Sequence, residues 1–219
     1  EVTAPGHDHH EHRSLKDVEK IVRSGRIPEQ ARDGALKTFH LLAGAEARVH
    51  GSSVDKVHFH EVGATDAVVD VLGTWLGYGM IGSPRVVVSP VGLEQGPAKG
   101  RAAHGVMILP PPATLEILKG FPIQAQPSDT ELCTPTGAAL LVSLASDFGS
   151  MPSITMDRIT YATGKRENRA LPAVLRGVLG QTARGTARAD EIVEIATNLD
   201  DISPVALAPV CGELMAAGA

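Results

Sequence analysis

From residue 57 to 145 short apolar runs alternate with segments of helical spacing, and that alternation restricts the chain to layered arrangements of sheet and helix. Val57–His60 reads as a strand, and Thr65 or Asp66 can cap a helix presenting Val69, Leu72 and Leu76 or Trp75 to a core, with Gly73, Gly77 and Gly79 weakening its second half. Arg85–Ser89 reads as a short buried strand ended by Pro90, and Val91–Gly105 as a glycine-bearing loop. Val106–Leu109 returns as a strand, a proline run leads into a helix over Ala113–Lys119 closed by Gly120, and Pro122–Gln126 is extended. Thr134 with Pro135 then opens a helix running to about Ala145. The expectation is an α/β fold, with α+β as the alternative, in which a layered sheet with helices is followed by a small strand-rich region between Ser153 and Ala196.

Before this stretch, Ser14-Leu15-Lys16-Asp17 forms a capping box for a helix with Leu15, Val18 and Ile21 or Val22 inward, stopped at Gly25. Pro28 suits the first turn of a longer helix whose Ala35, Phe39, Leu42, Glu46 and Val49 form a stripe interrupted by the glutamate. The expected organisation is a His-rich segment over 1–12, a main domain over 13–180, a Gly/Arg-rich linker over 181–190 and the start of a further domain over 191–219.

Hydrophobic residues make up 43% of the 219, enough for a core, but aromatics only 3%, so stacking platforms for single-stranded nucleic acid are scarce. The formal net charge of −5, without a Lys/Arg cluster, argues against nucleic-acid partners. Cys133 and Cys211 form no Cys-x-x-Cys pair, which fits a reducing cytoplasm and no thiolate zinc site. The stretch from Val68 to Ile81 is too short to span a bilayer, and the first residues lack a basic leader with an apolar run. A cytoplasmic protein is expected.

Four constellations bear chemistry. His7, His9, His10 and His12 make a tract suited to nickel, copper or zinc; the competing explanation, a purification tag, fits poorly with an interrupted run that merges into a capped helix. The second is Val57-His58-Phe59-His60-Glu61-Val62-Gly63-Ala64-Thr65-Asp66, where alternation puts both imidazoles on one side of a strand and a turn at Glu61 is needed to add its carboxylate. Asp66 is either a further ligand or simply a cap, and Asp70 shares its helix face. Lys99, Arg101 and His104 accompany Gly96, Gly100 and Gly105, a setting for a phosphate or carboxylate or merely solvated charges. Thr134, Thr136 and Gly137 at a helix start offer N–H groups to an anion, although most such caps are structural.

The order of these motifs, with Arg13-Ser14-Leu15-Lys16-Asp17, Val88-Ser89-Pro90, Ala103-His104-Gly105, Pro112-Ala113-Thr114, Thr134-Pro135-Thr136-Gly137-Ala138-Ala139 and Thr197-Asn198-Leu199-Asp200-Asp201, resembles the nickel-insertion protein family that completes the nickel-pincer cofactor of lactate racemase. The resemblance covers nearly the whole chain. It implies a nickel chelatase or cyclometallase of the lyase class, acting on a pyridinium mononucleotide bearing two thiocarboxylates and using CTP with a divalent cation, Mn or Mg. It also implies a homo-oligomer and handover to the lactate racemase apoprotein. Family members typically carry a preceding segment with a Gly-Asp-Met-type motif and a following C-terminal nucleotide-binding domain, where the CTP site is mainly expected. The turn Tyr161-Ala162-Thr163-Gly164-Lys165-Arg166 is less glycine-rich than the family form.

On this reading His7, His9, His10 and His12 collect nickel, while His58, His60 and Glu61, with Asp66, hold or pass it. His104 or Glu61 takes the ring proton displaced by the metal. Lys99, Arg101, Thr134, Thr136 and Gly137 receive the phosphate and thiocarboxylates. A non-catalytic nickel chaperone or store is the alternative, and a two-metal phosphate hydrolase a third reading.

Overall fold

The structure is a computed structural model and describes residues 13–59, 65–95, 99–102, 105–128, 130–164, 174–182 and 216, with the backbone alone of His58, 99–102 and 105–108. The chain divides into two compact units, Glu1–Ala183 and Arg184–Ala219, and every element below belongs to the first. In chain order these are β1 (Arg13–Ser14), α1 (Leu15–Ser24), α2 (Glu29–Val49), a 3-10 turn (Val54–Lys56), β2 (His58–Phe59), α3 (Thr65–Met80), β3 (Val87–Val88), β4 (Val91–Gln95), β5 (Lys99–Ala102), β6 (Gly105–Ile108), α4 (Pro112–Ile117), β7 (Ile123–Pro127), α5 (Pro135–Leu144), β8 (Asp147–Phe148), β9 (Ile154–Thr163) and β10 (Val174–Thr182). The fold is mixed α/β, as the strand–helix alternation anticipates.

The core is built around α2, which packs against α1, α3, α4 and α5. Its Ala35, Phe39 and Leu42 are fully buried, on the stripe expected from their spacing, while Val49 is exposed and Glu46 is half-buried beside His50, 3.3 Å away. In α1 the capping box forms as read: Ser14 Oγ accepts from Asp17 N and the Asp17 carboxylate accepts from Ser14 N at 3.0 Å. Leu15, Val18 and Val22 face inward, and Ile21 is exposed.

Helix α3 runs intact through its glycines to Met80, because burial against α2 outweighs their low helix propensity. Its buried face is Ala67, Val68, Val71 and Trp75, so the expected stripe through Val69 is displaced by one residue. Val69 is exposed, and Leu72 and Leu76 lie half-buried at the flank. The helix is apolar on more than one face, and a socket in α2 selects among them. Gly34 leaves room for the Trp75 indole, whose Nε1 donates to Thr38 Oγ1 at 3.0 Å. Thr38 Oγ1 also lies 2.9 Å from Gly34 O and 2.9 Å from Ser143 Oγ, and Ser143 Oγ bonds Ala139 O, so one buried polar network joins α2, α3 and α5.

The stretch expected as a loop from Val91 to Gly105 is instead partly strand. β4 pairs in parallel with β7, Val91 opposite Ile123, and β5 pairs antiparallel with β6. One glycine of this stretch serves the pairing: a Cβ at Gly92 would sit 3.2 Å from Gln126 Cγ on β7. The parallel β4/β7 connection crosses over through the β5/β6 hairpin and α4. β3 pairs in parallel with β8.

β9 and β10 form an antiparallel hairpin with an irregularity at Leu179/Gly180, where a Cβ on Gly180 would meet Thr155 O at 2.4 Å. These two strands are the described part of the strand-rich region expected between Ser153 and Ala196. β10 continues through Thr182, into the stretch expected as linker from 181. No described helix is long and apolar enough to cross a membrane.

Candidate functional site

The strand carrying His58 is set by its neighbour in sequence. Phe59 is buried and its ring centroid lies 6.4 Å from that of Phe39 on α2, so β2 is anchored to the core through one side chain. On its edge β2 pairs antiparallel with β1, Arg13 opposite Phe59 and Ser14 opposite His58. Arg13 and Ser14, which follow the His-rich tract in sequence, are thereby paired with a strand more than forty residues later.

Helix α3 starts on the other side of the motif. Arg13 Nη1 donates to Thr65 Oγ1 at 3.3 Å, and Asp66 lies in the first turn with Oδ1 accepting from Ala67 N at 2.8 Å. Asp66 thus does the work of a first-turn carboxylate, complementing the helix dipole, and is also solvent-exposed. Asp70 is exposed one turn later. His7, His9, His10, His12, His60, Glu61 and His104 lie outside the described residues. Among the described residues no group of three or more His, Cys, Asp and Glu side chains converges as a metal site.

Lys99 and Arg101 fall on β5 and not in a loop, opposite Ile108 and Val106. At the start of α5 the Thr134 side chain accepts from Gly137 N at 3.1 Å, with Pro135 in the first turn. Gly137 N–H is therefore committed to the cap, which removes it from the N–H groups expected to be free for an anion. Thr136 N–H remains one of the first-turn groups without an intrahelical partner.

The surroundings of that helix start contain a residue the sequence reading passed over. Glu94 on β4 is only 5% exposed; its Oε2 accepts from Leu132 N at 3.0 Å, and its buried Oε1 has no hydrogen-bond partner among the described residues. A negative charge so close to α5 opposes the dipole attraction that would draw a phosphate there. Its signal was faint: Val91 and Leu93 mark the inward positions of the strand, and period-2 spacing assigns Glu94 outward, yet residues 93 and 94 are both buried.

Cys133 follows directly, its carbonyl accepting from the buried Thr114 hydroxyl at 3.2 Å. Burial pushes the Cys133 thiol up to about 12 from its ordinary 9.0, with the Glu94 and Glu131 carboxylates adding to the effect. The native thiol is thus expected to resist iodoacetamide near pH 8 and to alkylate only after denaturation, as peptide mapping of Cys133 would show. The unfolded chain releases the thiol proton first, so this contribution to stability is intact below about pH 9 and declines as pH rises toward 12; Cys133→Ser is expected to lack that decline in alkaline melts.

The whole chain, residues 1–219, matches the family described as nickel insertion protein. It is 38% identical over 215 residues to the pyridinium-3,5-bisthiocarboxylic acid mononucleotide nickel insertion protein of Desulfitobacterium hafniense, covering 96% of this chain and 53% of that one. It is 41% identical over 208 residues to the protein of the same name from a Nocardioides species, covering 95% and 52%. A putative nickel insertion protein of Geotalea daltonii is 39% identical over 208 residues, covering 95% and 53%. The chain spans about half the length of the curated relatives it matches. No solved structure matches it. At these identities and with the family match extending over every residue, the chain belongs to the nickel insertion protein family.

Proposed function

We propose that this chain is the nickel-handling part of an enzyme that inserts nickel into the pyridinium-3,5-bisthiocarboxylic acid mononucleotide to form the nickel-pincer cofactor. The observation that carries the reading is the β1/β2 ladder, which joins Arg13–Ser14, next in sequence after the His-rich tract, to the His58 strand in a chain whose relatives bear that name. Neutral imidazoles with a carboxylate suit a borderline divalent ion that must be held and then released.

In this mechanism His7, His9, His10 and His12 collect nickel, and His58, His60 and Glu61 present it to the substrate, with Asp66 at the start of α3 adding negative charge. The thiocarboxylate sulfurs replace protein ligands, a ring C–H bond breaks as the nickel–carbon bond forms, and the proton passes to Glu61 or His104. Lys99 and Arg101 on β5 supply positive charge for the nucleotide phosphate. Thr134 and Gly137 act mainly as the α5 cap, with Thr136 N–H as the anion donor of that turn. CTP with Mn or Mg is used by the full-length protein through residues mainly beyond this chain. The reading places the enzyme in the cytoplasm, as a homo-oligomer that hands the completed cofactor to the lactate racemase apoprotein.

A nickel store without a reaction of its own would draw on the same His-rich tract. Removing residues 7–12 from the full-length protein separates the two: the enzyme is expected to keep turnover at saturating nickel while requiring more metal for half-maximal rate. A store would lose most of its bound nickel and show no transfer before or after the deletion.

A further inference from the structure

We propose that Glu94 is a ribose-recognition residue, its carboxylate accepting a hydrogen bond from a ribose hydroxyl of the pyridinium mononucleotide held at the start of α5. The inference rests on the reading of that mononucleotide as the substrate and adds the subsite for its sugar. Glu94 is the penultimate residue of β4, which pairs in parallel with β7, Glu94 opposite Gln126. The chain leaves β7 at Pro127 and enters α5 at Pro135, and a hydrogen bond from Leu132 N to Glu94 Oε2 at 3.0 Å ties the intervening turn back to β4. The carboxyl ends of two neighbouring parallel strands and the start of the next helix are thus joined, and this edge is where α/β sheets take their ligands.

The carboxylate lies at the helix start with one oxygen uncommitted. Leu132 is two residues before the Thr134 cap, and the same side chain acts on the thiol of Cys133, the residue next to the cap. Glu94 Oε1 is buried and has no hydrogen-bond partner among the described residues, a standing cost to the fold that an incoming donor removes. The turn is braced in advance: Thr114 Oγ1 donates to Cys133 O at 3.2 Å, and Ser128 Oγ donates to Thr130 O at 2.7 Å. Solvent reaches its end, since Thr134 is exposed and Thr136 half-buried. Together these groups select the ligand. A carboxylate repels an anion and accepts from a neutral hydroxyl, whereas the Thr136 N–H left over by the cap favours an anion. Free phosphate meets only the second demand. A mononucleotide meets both, with its hydroxyls toward Glu94 and its anionic groups toward the helix. Dinucleotide folds take a ribose in the same manner, on an acid at the end of the strand beside a phosphate-binding helix start.

The test is a titration of the full-length protein, without nickel, with the pyridinium-3,5-bisthiocarboxylic acid mononucleotide and its 2′-deoxy and 3′-deoxy counterparts, with CTP and 2′-deoxy-CTP in parallel. The wild type is expected to bind the ribonucleotide roughly 10- to 100-fold more tightly than one of the deoxy forms, the loss that follows when a hydrogen bond to a charged group is removed. Glu94→Gln keeps the side-chain shape and an acceptor for Leu132 N, so it should melt like the wild type. Its amide N–H₂ then faces the ribose and forms at best a neutral bond, so the preference for the ribonucleotide should fall about 10-fold while binding of the deoxy form is unchanged. Equal binding of all three mononucleotides by the wild type, or an undiminished preference in Glu94→Gln, would overturn the proposal. A preference that Glu94→Gln loses only for CTP over 2′-deoxy-CTP would overturn the assignment to the mononucleotide. A wild-type protein that binds no pyridinium mononucleotide would overturn the functional reading and this inference together, whereas binding without a ribose preference overturns this inference alone.

Discussion

Replacing His58 and His60 by alanine in the full-length protein is expected to reduce nickel transfer to the pincer precursor by about 100-fold or more, above the loss typical of outer-sphere partners. The expectation rests on the proposed role of these imidazoles as ligands that hold nickel before transfer, with His58 on the strand paired to Arg13–Ser14. Thermal stability should change little, because β2 is held by Phe59 packed on Phe39, and neither substitution removes that contact. The expected signature is therefore a folded protein that binds nickel weakly and transfers almost none. Transfer at the wild-type rate in the double variant would show that this segment is not where nickel is held.

A second large effect concerns the fold that positions the motif. A Cβ built on Gly34 would stand 2.2 Å from Trp75 Cδ2 and 2.3 Å from Cε3, far inside any tolerable contact. The indole cannot swing aside cheaply, since it is 7% exposed and its N–H bonds Thr38. Gly34→Ala must therefore displace α3 from α2 or expel the ring, either of which breaks the Thr38–Trp75–Ser143 network. Overpacking of this kind, together with an unpaired buried N–H, is expected to cost about 3 kcal/mol. In a chain of this size that lowers the melting temperature by about 6–12 °C. Trp75→Leu should destabilise as well, but the two changes together by less than their sum, because the smaller side chain vacates the space the new methyl needs. A melting temperature within about 2 °C of the parent in Gly34→Ala would mean that the helices adapt freely and that this socket does not set the register of α3.

The Gly34 socket also shows where sequence reading reached its limit. The α1 cap, the α2 stripe as far as Leu42 and the start of α5 are local features, each written in residues three or four apart, and each forms as its spacing indicates. The face of α3 is not local. Two apolar stripes compete on that helix, and the choice falls to Trp75 only because an α2 residue forty positions earlier lacks a side chain. β4 was hidden for a similar reason: its partner β7 lies some thirty residues on, while the glycines nearby spoke for a loop.

For the candidate site, composition and spacing marked residue types suited to a borderline divalent ion, and the resemblance named nickel as the metal. The β1/β2 ladder could not be anticipated, since two-residue strands carry no periodic signal, yet it pairs Arg13–Ser14 with His58–Phe59. Conversely, helix-start chemistry at Thr134 and Gly137 was legible as an anion site only until hydrogen bonding was counted. The cap consumes the Gly137 N–H and leaves Thr136 N–H as the donor of that turn. Burial of a carboxylate at an outward strand position follows from tertiary packing that no residue spacing encodes.

On the proposed function, an enzyme containing this chain places nickel in an organic nucleotide. The most direct measurement is mass spectrometry of the nucleotide after incubating the full-length protein with nickel, CTP and the pyridinium bisthiocarboxylate mononucleotide. The expected product is one in which one nickel has replaced one ring proton, formed only when protein and CTP are both present. Unaltered nucleotide with nickel still bound to the protein would contradict it and identify a metal carrier instead.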